Sequence, residues 1–136
     1  MNKIPKGYRS LEGPSPAEDH VGPFYYRKTE QGLKLGFAAA PEHCNVISTV
    51  HGGVLMCFAD YAVTMLALHG VKGEACATVS FNADFVSGAK LGEWVEGRGE
   101  VVRRSGSMTF VRGELVVADK LIMTFQAVMR RLKKAG

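Results

Sequence analysis

Cysteine is scarce in this chain and falls in no pairing pattern: Cys44, Cys57 and Cys76 make neither an even set nor a Cys-x-x-Cys motif. That excludes a disulfide-stapled secreted scaffold and points to reduced thiols in a cytoplasmic setting. Long apolar runs are missing too. The longest, Val54 to Leu68, is interrupted by Asp60 and Thr64 and falls short of the roughly 18 to 20 residues that a bilayer span needs. The opening MNKIPKGYRSLEGPSP has no apolar stretch of the kind a secretory signal carries. His20, His43, His51 and His69 show no ligand-like spacing with cysteine or acidic residues, so no metal is expected. GRGEVV at 97–102 lacks the third glycine and the strand-then-helix setting of a dinucleotide loop, and no cofactor is expected.

What is present describes one globular domain. The 136 residues are 46% hydrophobic and 22% charged, enough apolar material for a single core and too little chain for two. The net charge of +4 is scattered except at Arg103-Arg104 and in RRLKK at 130–134, which reads as a solvated tail. No nucleic-acid motif accompanies it, so neither nucleic acid nor membrane is an expected partner.

Residues 1–22 carry Pro5, Gly7, Gly13, Pro14, Pro16 and Gly22 and read as a loosely structured lead-in. The folded domain is expected over 23–132, with a basic tail at 133–136. Inside it, extended runs at Phe24–Lys28 and Leu33–Ala38 flank a turn at Gly32 and form a hairpin. HGGVLMCFADYAVTMLALHG at 51–70 is one long helix, ended by Gly70 and Gly73. After it the chain alternates. ACATVSFNADFV sets Ala77, Val79, Phe81, Ala83 and Phe85 on one face, with Thr78, Ser80, Asn82 and Asp84 on the other. Three more strands follow; Gly97 and Gly99 suggest a bulge or bend, and Ala118-Asp119-Lys120 is the last turn. The order of hairpin, helix and four strands predicts an antiparallel α+β domain. A helix that is apolar nearly all round must be enclosed. A strongly curved sheet wrapped around it does this, with a second subunit over what remains. Pairing sheet edges between two copies also removes exposed backbone groups, so a homodimer is the minimum.

The chemistry centres on Asp60, one carboxylate in an apolar helix. A buried charge costs several kcal/mol unless partnered or solvated, so stability alone seldom explains it. The plain alternative is a carboxylate satisfied by backbone donors or a strand cation. His51-Gly52-Gly53 opens the helix, where N–H groups lack intrahelical acceptors and glycine lets a ligand come close. With the helix dipole, this suits a carbonyl oxygen that gains negative charge. Asp60 lies some 10 to 12 Å further along the axis at 1.5 Å per residue, too far for both to act on one group within a chain. Two antiparallel helices from two subunits would close that gap. Thr64, one turn beyond Asp60, either holds the carboxylate or a water, or bonds back to the helix carbonyl. His51 alternatively caps the helix.

Asn45, His51-Gly52-Gly53, Asp60 and the following ATVSFNADFVSGAKLGE together resemble the hotdog-fold acyl-CoA thioesterases of the phenylacetate-pathway, PaaI-like branch, over about residues 24–130. Ser48 departs from the pattern, standing where that family usually has glycine shortly before the histidine. The resemblance implies the hotdog fold, an antiparallel curved sheet around a long central helix. It also implies hydrolysis of an acyl-CoA thioester to free acid and CoA, coenzyme A being part of the substrate. Asp60 would be general base or nucleophile, and the Gly52 N–H of the opposite subunit would polarise the carbonyl. Asn45 and His51 would position water or thioester, Thr78 would help hold the attacking water, and Thr64 matches a further position in related branches. CoA phosphates call for basic residues and free N–H groups at the pocket mouth; the candidates are Gly53, Lys90, Arg103, Arg104, Gly106 and Ser107, with ordinary solvated charges as the alternative. A shared-site homodimer, assembled as a dimer of dimers, is the expected form. Two other activities fit such a scaffold: a non-enzymatic acyl-CoA-binding module, which would not need Asp60, and a hydratase or dehydratase.

Overall fold

A computed structural model describes residues 4–11 and 13–134. In chain order the elements are β1 (Arg9–Ser10), α1 (Pro16–Val21), β2 (Tyr25–Thr29), β3 (Gly32–Ala38), a single 3-10 turn (Pro41–His43), α2 (Gly52–Leu68), β4 (Glu74–Phe85), β5 (Trp94–Arg104), β6 (Met108–Val117) and β7 (Lys120–Lys133). All seven strands join one antiparallel sheet in the order β1-β2-β3-β5-β6-β7-β4. The expected hairpin, long helix and four consecutive strands are all there, and the fold is the hotdog.

The sheet curves because its helix-facing side is cut back with glycine where α2 comes closest. A Cβ at Gly97 would sit 3.3 Å from Phe58 and Leu115, and one at Gly99 would strike the Arg112 carbonyl. The β5 register shifts just beyond them, between Val101 and Arg103. Into the hollow α2 drives Phe58, whose ring centroid lies 4.8 Å from Phe37 and 5.1 Å from Phe24. Leu35, Val95, Leu115, Ile122, Met123 and Met129 close around them, fully buried. The helix is not enclosed on every side, however: Asp60 stands on an exposed face beside β4.

Three further expectations change. The N-terminal lead-in is built into the fold over its described residues: β1 pairs with β2, Arg9 opposite Tyr26, and α1 packs on α2. Its start signals are Pro16 at the first helical position and Glu18 and Asp19 in the first turn. What holds it is buried His43. The His43 Nδ1 accepts the Ala40 N–H at 3.0 Å, which leaves Nε2 to donate to the Val21 carbonyl at 2.7 Å. The run at 130–134 is likewise no tail up to Lys133, since it continues β7. There the Arg131 guanidinium donates to both Glu74 oxygens, at 3.0 and 2.7 Å, and to the Ser105 carbonyl at 2.6 Å. Arg131 in turn holds the Glu74 carboxyl below its ordinary range. Residues 1–3 and 12 of the lead-in and 135–136 of the basic tail lie outside the described residues.

The third change concerns β4. Its register shifts between Thr78 and Ser80, so the two-residue alternation does not run through. Cys76 packs towards the core on one side of the shift, and Phe81 and Ala83 do so on the other. Thr78 therefore faces α2, while Ser80, Asn82 and Asp84 stay outside. A bulge reverses side-chain parity in this way by adding one residue to a strand.

Candidate active site

That reversal creates the central contact. The Thr78 hydroxyl donates to Asp60 Oδ1 at 2.6 Å, a short bond of the charge-assisted kind. One turn along α2, Thr64 lies close to the Cys76 thiol of β4, and the hydroxyl that meets the Asp60 carboxylate is that of Thr78. Burial pushes the Cys57 and Cys76 thiols up, and the Asp60 charge adds to this at both. These thiols are therefore protonated and poor nucleophiles at neutral pH.

At the start of α2, His51 is the N-cap and its Nδ1 accepts the Gly53 N–H at 2.9 Å. The histidine thus takes the capping role, and the Gly53 N–H is occupied. The Gly52 N–H makes no hydrogen bond among the described residues. Asn45 braces the loop before the helix: its Oδ1 accepts the Ile47 and Thr49 N–H groups at 3.1 and 3.2 Å, and its Nδ2 meets the Thr49 hydroxyl at 2.9 Å. Ser48 in this loop has φ 63°, a left-handed conformation natural to glycine and costing another L-residue about 1 kcal/mol. Ser48→Gly is accordingly expected to raise the melting temperature by roughly 3 to 5 °C, read by thermal denaturation; an unchanged or lower value would show that the loop carries no such strain.

The basic candidates divide between the two ends of α2. Lys90 bridges to Thr49, beside the Asn45 loop. Arg104 lies at the far end, where its guanidinium donates to the Ala67 carbonyl at 2.8 Å. It answers a free helix-end carbonyl. Arg103 is exposed at the β5 bulge, and Gly106 and Ser107 form the exposed β5–β6 turn. Gly52 and Ala67 are about 22 Å apart along the helix, so one chain does not gather these groups around one phosphate. A concavity of about 870 Å³ lies on the outer sheet face. Its Arg98–Glu114 and Arg112–Glu100 pairs sit opposite each other across β5 and β6 at 2.8 and 2.6 Å. They satisfy one another and read as a solvated surface. Sequence reasoning missed His43 and Glu18; the Pro16 and Glu18-Asp19 helix-start signal was available for the second.

A curved antiparallel sheet around one long helix is the architecture of the hotdog class. The thioesterase superfamily model matches residues 48–123, more than half of the chain, and the chain belongs to that family of thioester hydrolases. PA0474 of Pseudomonas aeruginosa, provisionally named an esterase, is 29% identical over 130 residues, 94% of this chain and 97% of that protein. Human acyl-coenzyme A thioesterase 13 is 32% identical over 74 residues, covering 54% of this chain and 53% of the human protein. Among solved structures, a protein from Ralstonia eutropha provisionally named a thioesterase and described as phenylacetic acid degradation-related superposes with a TM-score of 0.74 at 27% identity. It covers 88% of this chain and 92% of its own.

Proposed function

We propose that the protein hydrolyses an acyl-CoA thioester to the free acid and CoA in a site shared between two copies of the chain. The carrying observation is the pairing of Asp60 with Thr78 on an otherwise apolar helix that begins with an uncommitted Gly52 N–H. Asp60 acts on the thioester carbonyl, as general base on a water or as nucleophile, with the Thr78 hydroxyl holding it or the water in line. Gly52 of the partner subunit donates its N–H to the carbonyl oxygen as negative charge builds there, in the positive field of the α2 N-terminus. Asn45 and His51 hold the backbone that presents this donor. Lys90, Arg103, Arg104, Gly106 and Ser107 are the proposed contacts of the CoA moiety, from both subunits.

Two features favour the second copy. Gly52 and Asp60 lie about 12 Å apart along one helix, so only a neighbouring α2 brings them onto one carbonyl. Strand β4 is also a sheet edge twelve residues long, with Val79 and Phe85 exposed. Such an edge is a template for pairing with its own copy. A dimer of dimers and a cytoplasmic location complete the reading; the three free thiols suit a reducing compartment.

The test is release of free thiol from a panel of acyl-CoA esters by the purified protein. Turnover supports the proposal, and saturable binding with no turnover would favour the non-enzymatic binding module instead. Thr78→Ala is expected to lower kcat about tenfold, the worth of one charge-assisted hydrogen bond, while Thr78→Ser restores most of the rate. Equal rates for all three would remove Thr78 from the mechanism.

A further inference from the structure

Within one chain the outer face of the sheet reads as solvated surface, yet its pattern of side chains is its own complement. Arg-Gly-Glu occurs twice in the sequence, at 98–100 on β5 and at 112–114 on β6. The antiparallel register sets Gly99 opposite Gly113, so Arg98 meets Glu114 and Glu100 meets Arg112, a square of alternating sign. The row between these pairs turns inward: a Cβ at Gly99 would lie 3.1 Å from Leu66 of α2, and Phe125 and Ala83 pack on the core. The rows on either side therefore face out. One runs Arg98, Glu114, Thr124, Asp84 and the other Glu100, Arg112, Gln126, Asn82, each across β5, β6, β7 and β4. The four side chains of the square keep between 36% and 65% of their surface exposed, so each can take a second partner of opposite sign.

We propose that this face is an interface between two copies of the chain, related by a twofold axis that lies between the two sheets and runs across the strands along the inward-facing row. Such an axis lays each outward row on the other row of the partner. Arg98 then meets Glu100 of the partner subunit, Glu114 meets the partner's Arg112, Thr124 meets the partner's Gln126 and Asp84 meets the partner's Asn82. Each contact occurs twice, and no like charges are brought together. Sheets pack face to face about 10 Å apart, a gap that arginine and glutamate side chains span. A nucleic acid, or a strongly acidic or basic protein, would match only one sign of charge, whereas this face alternates both. Apolar surface on the same face also calls for cover: Val102 and Phe110 stand exposed beside the Glu100 row, in a groove of about 280 Å³. The axis leaves the β4 edge free for the pairing described above. The inference rests on the dimer-of-dimers reading and names the second surface that it needs.

The experiment measures mass in solution by sedimentation velocity at low ionic strength, with circular dichroism and thiol release as checks on the fold and the site. The parent should form four-chain assemblies. Exchanging the signs of one within-chain pair, Arg98→Glu with Glu114→Arg, keeps that pair intact but sets like charges against each other at four places across the proposed contact. It should raise the dissociation constant of the four-chain form at least about a hundredfold and leave a two-chain species with the parent's turnover per chain. Adding Glu100→Arg and Arg112→Glu makes every facing pair opposite again and should restore the four-chain mass. Asn82→Asp and Asn82→Lys leave the square untouched and place a charge against Asp84 of the partner subunit. The first should weaken the assembly about tenfold and the second strengthen it several-fold. A parent of two or four chains whose mass the pair exchange leaves unchanged overturns the inference, while the shared site and the hydrolase reading stand. A two-chain parent that the exchange splits into single chains supports the outer-face contact and overturns the edge-paired dimer instead. A single-chain parent overturns both.

Discussion

Asp60→Asn is expected to lower acyl-CoA turnover at least about a hundredfold, the lower range of what a positioned general base contributes. Asparagine keeps the size and can still accept the Thr78 hydroxyl, so the β4–α2 contact and the fold should survive; only the basic, nucleophilic oxygen is lost. Because Asp60 is exposed in the single chain, little stability depends on its charge. The measurement is thiol release under saturating substrate, with circular dichroism and thermal melting as the check on folding. A variant as active as its parent would remove Asp60 from the chemistry. A variant that melts far below its parent would assign the carboxylate a structural part instead.

The other large effect is on stability. Phe58→Ala should cost about 3–5 kcal/mol, the range for emptying an aromatic site in a packed core, and lower the melting temperature by roughly 10–20 °C. Phe58 has no exposed surface. Its ring is the hub of Phe24, Phe37 and Tyr61, with centroids at 5.1, 4.8 and 6.1 Å, and Gly97 is kept bare to admit it. No neighbouring chain need cover it. Denaturant unfolding measures the loss. A change below about 1 kcal/mol would mean that the ring borders an open acyl site and is not part of the core.

The two variants probe opposite faces of one helix, and the faces differed in how well the sequence announced them. The core face was legible: an apolar run bounded by glycines specifies a long buried helix, and helix α2 ends where Gly70 takes a positive φ of 78°. The identity of Asp60 was legible for the same reason, as a charge out of keeping with its neighbours. Its partner was not readable from alternation. Period-two reading put Thr78 with Ser80 on the outer face, and the Thr78/Ser80 register shift carries no glycine or proline to mark it. Ser48 is the converse case, a departure from the glycine usual in the family that the backbone absorbs by taking the left-handed conformation anyway.

The N-terminal segment was misread because its proline and glycine punctuation is local, whereas the group that anchors α1 is His43, 22 residues beyond Val21. The same holds at the other terminus, where Arg131 reads as part of a basic run until Glu74, 57 residues earlier, is found beside it.

Periodicity, turn residues and one anomalous carboxylate therefore sufficed, within the chain's own order of residues, to determine the elements from the β2–β3 hairpin onward, their succession, and the helix that carries Asp60. These signals are local, acting over a few bonds or one helical turn. Only the folded structure decided which side of β4 meets Asp60, what pins α1 over Tyr61 and Glu18, and which cations are already bound to carbonyls or carboxylates. Those outcomes depend on distances between residues remote in the chain, set by how the sheet bends around the helix.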